Sequence, residues 1–260
     1  MYRLLIVTEN QTVEDMFGAM TGWETMGFKP PRIRATCGDA LECMRKHAID
    51  AIAIDDSSIY DELRTHISEK CPTMLRFPIM DNAEDQWRII RELDRMLGSL
   101  YADRSNDYYD LPGALVMTQE KLIKSIVCGL IPSEKEQATR LFMLRCMEKT
   151  NVPCILARLG MDADDPFLTS RWHYGSDRLE VALRNFFGNV QDGMRLHVAV
   201  ISPEEVRVLC YPADETSVLM EKDVADYVKD TVEQIGNYLG LEMNILELRP
   251  IPGLSVFANA

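Results

Sequence analysis

The chain has 260 residues and carries 28 Lys and Arg against 41 Asp and Glu, a formal charge of -13. That acidic balance opposes extended contact with a polyphosphate backbone, so direct nucleic-acid binding by this sequence is not expected. Apolar residues at 47% and charged residues at 27% suit a water-exposed globular chain, and no apolar run nears the roughly 18 residues of a membrane span. At the start, Met1-Tyr2-Arg3 leads into a short apolar run over 4–7, which lacks the form of a secretory leader. The seven cysteines, at 37, 43, 71, 128, 146, 154 and 210, form no CxxC pair and no ligand spacing with the four histidines. They are expected to be reduced thiols in a cytoplasm.

In chain order, the first hundred residues alternate short apolar runs with amphipathic stretches, the pattern of a parallel α/β sheet. Residues 4–7 predict a strand. Thr12 is placed to cap a helix carrying Val13, Met16, Phe17, Met20 and Trp23 and ending near Gly27. A strand over 32–35, a helix opened by Gly38-Asp39, and a buried strand over 51–54 ending in Asp55-Asp56 follow. A helix over 60–70, a strand over 74–77 and a helix over 85–100 complete a four-strand set. The polar stretch around 101–113, with Leu111-Pro112-Gly113, reads as a linker at 105–113 between domains over 1–104 and 114–260. Beyond it the pattern predicts helices over 115–130 and 133–150, broken at Ile131-Pro132. Then come a strand over 153–159, a helix over 177–187, strands over 195–202 and 205–211, a helix over 222–239 and a strand over 243–248. A βαββαβ order of this kind predicts a ferredoxin-like antiparallel sheet behind two leading helices.

The opening Tyr2-Arg3-Leu4-Leu5-Ile6-Val7, the segment Trp23-Glu24-Thr25-Met26-Gly27-Phe28, the helix start Gly38-Asp39-Ala40-Leu41 and the strand Asp50-Ala51-Ile52-Ala53-Ile54-Asp55 resemble the receiver domain of two-component response regulators. They are most similar to the AraC-type (YesN-like) regulators, over residues 1–56. The resemblance implies a flavodoxin-like, here shortened, domain with a phosphoryl-acceptor Asp at the end of the third strand. It also implies an acidic pair after the first strand that helps hold Mg²⁺, a Ser or Thr after the fourth, and a Lys after the fifth. Asp55 falls on the acceptor position, and Glu9, Asp55 and Asp56 are the implied metal candidates. The acidic pair, however, reads Thr8-Glu9, which removes one oxygen ligand from an ion that demands near-octahedral geometry. Between Asp55 and the last helix of this domain lie only about 30 residues, short by one βα unit. Phe77-Pro78 either replaces the family's Lys-Pro after the last strand or ends the fourth strand in place of the Ser/Thr.

In the second half, Glu120-Lys121-Leu122-Ile123 through Gly129-Leu130, and Tyr174 through Leu179-Glu180-Val181-Ala182-Leu183-Arg184-Asn185-Phe186-Phe187, resemble the degenerate GGDEF or cyclase-like middle domain of the same regulators. A catalytic GGDEF hairpin needs glycines at its tip, where phosphates approach the backbone, yet the tip here is Ser202-Pro203-Glu204-Glu205. Asp162, Asp164 and Asp165 after the preceding strand read as a solvated turn rather than as metal ligands. His173 between Trp172 and Tyr174 suits packing or capping ahead of a helix at least as well as ligand binding. No P-loop, GxSxG or HExxH motif occurs. The expected function is thus non-enzymatic: an atypical, pseudo-receiver response regulator acting by protein contacts in transcriptional signalling, without cofactor apart from Mg²⁺ at a weakened site. Expected partners are a second copy or a related regulator and a histidine kinase. The alternatives are a receiver phosphorylated on Asp55 with DNA-binding output in helix-turn-helix units outside this chain, and a nucleotide-binding or cyclase-like enzyme.

Overall fold

The computed structural model describes residues 1–105 and 110–258. They form two compact units, residues 1–119 with 139–146, and residues 120–138 with the chain from 147 on. The expected linker at 105–113 falls in part on residues 106–109, outside the described residues. Its second half is helical. Asp110 accepts the Gly113 N–H at 2.9 Å and so caps α5 (Leu111–Val127), and Pro112 occupies the first turn, where a missing N–H has no intrahelical partner to lose.

The first unit runs β1 (Leu4–Val7), α1 (Gln11–Ala19), β2 (Arg32–Arg34), α2 (Cys37–Lys46), β3 (Ala51–Ile54), α3 (Asp61–Lys70), β4 (Leu75–Arg76) and α4 (Ala83–Ser105). Its sheet is wholly parallel, in the order β2-β1-β3-β4. The continuous apolar runs of β1 and β3 follow from that position, since central parallel strands are covered on both faces. α1 is shorter than its apolar spacing predicts. Asn10, not Thr12, is the cap, accepting the Thr12 N–H, and the chain turns extended at Met20 and left-handed at Gly22 (φ +88°) and Gly27 (φ +76°). Trp23 is nonetheless buried, stacked on Phe17 and tilted against Trp87 of α4. The loop after β4 is fastened by the buried Gln86, whose side chain accepts the Met80 N–H at 2.8 Å and donates to the Pro78 carbonyl.

Residues 139–146 complete this unit with the end of α6 (Glu134–Met143). The helix expected over 133–150 stops early because Arg145 takes the left-handed conformation at φ +57°, while Cys146 N–H bonds back to the Leu141 carbonyl. A non-glycine residue in that region is costly and calls for compensation. The Arg145 guanidinium supplies it by donating to the carbonyls of Ile67, Cys71 and Met74, the last groups of α3 and the approach to β4. Beside it, the Arg76 guanidinium lies over the Phe142 ring, 5.1 Å from its centroid.

The second unit adds β5 (Cys154–Met161), α7 (Ser176–Phe187), β6 (Val190–Gln191), β7 (Met194–Ser202), β8 (Glu205–Pro212), α8 (Glu221–Leu239) and β9 (Met243–Ile251). The sheet is antiparallel, in the order β6-β7-β8-β5-β9. Strand alternation puts Leu196, Val198 and Val200 of β7 with Val206 and Val208 of β8 on the face that packs with Leu183 of α7 and Val228 of α8. Asp192 (φ +47°) and Gly193 (φ +77°) close the β6–β7 hairpin with the left-handed pair that a tight hairpin turn requires. A bulge at Leu246 of β9 seats its side chain over Gly160 of β5, where a Cβ would stand 3.0 Å from it. Among the described residues, no helix is long and apolar enough to cross a membrane.

Gly253 (φ +153°) follows β9 and passes so close to residue 150 that a Cβ would lie 2.2 Å from the Thr150 carbonyl oxygen, which also accepts the Ser255 N–H. Gly253→Ala is expected to destabilise the second unit by about 2 kcal/mol or more, read as a lower urea midpoint at unchanged slope.

Candidate functional site

Parallel pairing of Val7 with Ile54 carries the chain out of β1 and β3 side by side, so Thr8 and Asp55 emerge as neighbours. Ligand sites of open parallel sheets gather beyond these strand ends. The buried Thr8 donates its hydroxyl to Asp55 Oδ2 at 2.7 Å, and its oxygen accepts the Asn10 N–H at 3.0 Å. The other carboxylate oxygen of Asp55 accepts the Ser57 N–H at 3.2 Å. From α3, Arg64 donates to the Asp55 main-chain carbonyl and pairs with Asp61. Glu9 and Asp56 are exposed. Of the three metal candidates, Asp55 already accepts a hydroxyl and an amide hydrogen bond. Among the described residues, no group of three or more His, Cys, Asp or Glu is arranged to hold a metal ion. Phe77 is buried, donates its N–H to the Ile52 carbonyl and directly follows β4, so Phe77-Pro78 ends the fourth strand.

In the second unit the acids after β5 build the turn. Asp162 accepts the Asp164 N–H through its side chain, and the buried Asp165 accepts the Phe167 N–H at 2.7 Å and the Glu242 N–H at 3.4 Å. A wide π-helical turn, Phe167–Arg171, follows and brings Trp172 against Phe167 and Tyr174. A cavity of about 390 Å³ opens here between Leu168, Trp172, Leu179, Val200 and Pro203, with the hydroxyls of Ser176 and Ser202 at its wall and no charged side chain lining it. His173 stands exposed outside it.

The densest polar cluster lies on the other face of this sheet. His197, in the middle of β7, alternates away from the helix-covered face and is buried. Its Nδ1 sits 3.1 and 3.2 Å from the two carboxylate oxygens of Glu120 on α5, and its Nε2 sits 2.9 Å from Glu148 Oε1. Arg195, two residues along the same face, meets Glu148 at 3.4 Å. From α7, Arg184 reaches Glu120 at 3.8 Å and Glu180 at 3.3 Å. Glu180 in turn binds Lys124 at 2.8 Å and accepts the Val200 N–H of β7 at 3.0 Å, closing a backbone donor of the strand edge. Burial opposes charge on His197, but the hydrogen bonds and charges of Glu120 and Glu148 outweigh it and push the imidazole up to about 9. Burial likewise pushes Glu148 up, and the His197 hydrogen bond and charge outweigh it to hold the carboxyl below its ordinary range.

Sequence reasoning brought Asp55 into view but missed Glu120, Glu148 and His197, which lie 77 and 49 residues apart in pairs. One signal was present: His197 falls among Arg195 and Ala199, out of phase with the apolar Leu196, Val198 and Val200. Replacing the Thr8 hydroxyl by a methyl removes a donor from a half-buried carboxylate. Thr8→Val is expected to cost about 1 kcal/mol in urea unfolding, and Thr8→Ser to restore most of it. Compared with known proteins, the chain matches no protein-family model and no curated protein.

Proposed function

We propose that this chain is a non-enzymatic signalling protein, a pseudo-receiver response regulator of the AraC type that works through protein contacts. The observation that carries the reading is the Thr8 hydroxyl on Asp55 at 2.7 Å. Phosphoryl transfer to a strand-end Asp needs metal charge beside it to offset the developing negative charge. Here a neutral hydroxyl stands where the receiver pattern has an acid, and it engages one lone pair of the Asp55 carboxylate. The buried Phe77 ring after β4, in place of a hydroxyl that would sense a phosphoryl group, agrees with that reading. The strand order β2-β1-β3-β4 supports a receiver-like sheet shortened by one strand, and β7-β8-β5-β9 supports a ferredoxin-like core for the second unit. The uncharged cavity and the turn-building acids of that unit favour a degenerate regulatory module over a cyclase. Within the reading, the protein is cytoplasmic, pairs with a second copy or a related regulator, and leaves nucleic-acid contact to other domains.

The second reading, a phosphorylatable receiver served by a histidine kinase, draws on the Arg64 guanidinium at the Asp55 carbonyl, a cation close to the acceptor. Intact-mass measurement after incubation with Mg²⁺ and a small-molecule phosphodonor separates the two. The pseudo-receiver reading expects no added phosphoryl in the natural chain. A single phosphoryl adduct that disappears in Asp55→Ala would overturn it. Thr8→Asp, which restores a carboxylate beside Asp55, is expected to strengthen Mg²⁺ binding by about tenfold or more, measured by calorimetry.

A further inference from the structure

His197 is held by a carboxylate on each ring nitrogen, and carboxylates are acceptors only. Both nitrogens must therefore carry protons for both bonds to form. A neutral ring, with one N–H, turns a lone pair toward Glu120 or Glu148 and converts one of the two attractions into a repulsion. We propose that the Glu120, His197 and Glu148 side chains form a proton-operated latch that fastens the 120–127 stretch of α5 and the residue 148 segment to β7, and that the latch opens when the imidazolium gives up one proton.

The elements around the ring make that proton decisive. α5 presents Glu120 and Lys124, but Lys124 is bound to Glu180 rather than to Glu120. α7 presents Arg184, shared between Glu120 and Glu180, and the Arg184 Nε is buried without a hydrogen-bond partner. On β7 itself Arg195 meets Glu148, again with a buried Nε lacking a hydrogen bond. On β8, opposite, the face carries Arg207, which donates to the Val127 carbonyl, and Tyr211, whose hydroxyl accepts the Lys149 N–H. Among the described residues, His197 stands within hydrogen-bonding distance of both Glu120 and Glu148, and its charge changes in the alkaline range. A folded-state value raised above the ordinary 6.5 to about 9 means that this contribution is complete below 6.5 and lost as pH rises through about 9. Glu148, held low, sets the acid limit: its contribution is present above the ordinary carboxylate range and lost as pH falls below it.

The test uses the full chain and two readouts. Imidazole NMR should show one histidine titrating near about 9 that is absent from His197→Gln. Hydrogen exchange, corrected for intrinsic rates, should show protection over 120–127 falling about tenfold or more between about pH 8 and about pH 10, while α8 in the same unit keeps its protection. In His197→Gln that step should vanish. If this variant does not fold, Glu148→Gln keeps an acceptor for the ring but removes its charge, and should lower the His197 titration by about one pH unit or more. An imidazole titrating in its ordinary range, an unmoved titration in Glu148→Gln, or an exchange step that persists in His197→Gln overturns the latch.

Discussion

A sheet has two faces, and in the second unit the one that carries His197, beside the buried Leu209 and Leu156, sets a cluster of charges among its apolar residues. Val198 and Val200 of β7 meet the α7 and α8 core, whereas Arg195 and His197 on the reverse face meet the carboxylates of Glu120 and Glu148. A cover held by charges must balance them, because an uncompensated buried ion costs several kcal/mol. Here three carboxylates, Glu120, Glu148 and Glu180, face three fixed cations, Arg184, Arg195 and Lys124, and the protonated His197 adds the hydrogen bonds that join Glu120 to Glu148 through one ring. Much else in the unit follows. Glu180 is buried because it serves Lys124 and Arg184 and also the free Val200 N–H at the strand edge. α7 therefore contributes to both faces, with Leu183 in the core and Glu180 and Arg184 reaching the cluster.

The first unit solves its covering problem in a different way. Its parallel sheet ends at the two-residue β4. The carbonyls of the α3 C-terminus and of Met74 are closed by one side chain, Arg145, itself in a conformation that glycine usually supplies. The exchange has a physical logic. A left-handed arginine costs on the order of 1 kcal/mol of backbone strain, and a guanidinium that caps several carbonyls returns more than that through hydrogen bonds carrying charge. Glycine at this position would relieve the strain and lose the cap.

These two devices mark how far the sequence could be read. β1 and β3 were legible because LLIV and AIAI admit no other placement in an α/β pattern, and α7 and α8 because their apolar residues recur at helical spacing. The ends of α1 and α6 were not. Asn10 and Thr12 are both competent caps, and the stop at Arg145 depends on carbonyls about 70 residues earlier in the chain. The Thr8 substitution was visible, and the parallel register made its bond to Asp55 a natural consequence. The His197 cluster was hidden for the reason that hides most tertiary polar networks: each member is an ordinary residue in its own element, and only the fold brings the three together.

The strand-end acids of both units share one property that bears on chemistry. A carboxylate available for catalysis or metal binding keeps lone pairs free toward the site. Asp55 has one oxygen bonded by Thr8 and the other by the Ser57 amide, and Asp165 has its two bonded by the Phe167 and Glu242 amides, so every oxygen commits one of its lone pairs to a fixed donor. Backbone amides and a buried hydroxyl are fixed donors, and a ligand that displaced them would leave polar groups without partners in a partly dry setting, at about 1–3 kcal/mol each. Under the proposed pseudo-receiver reading, such acids hold their loops in one shape.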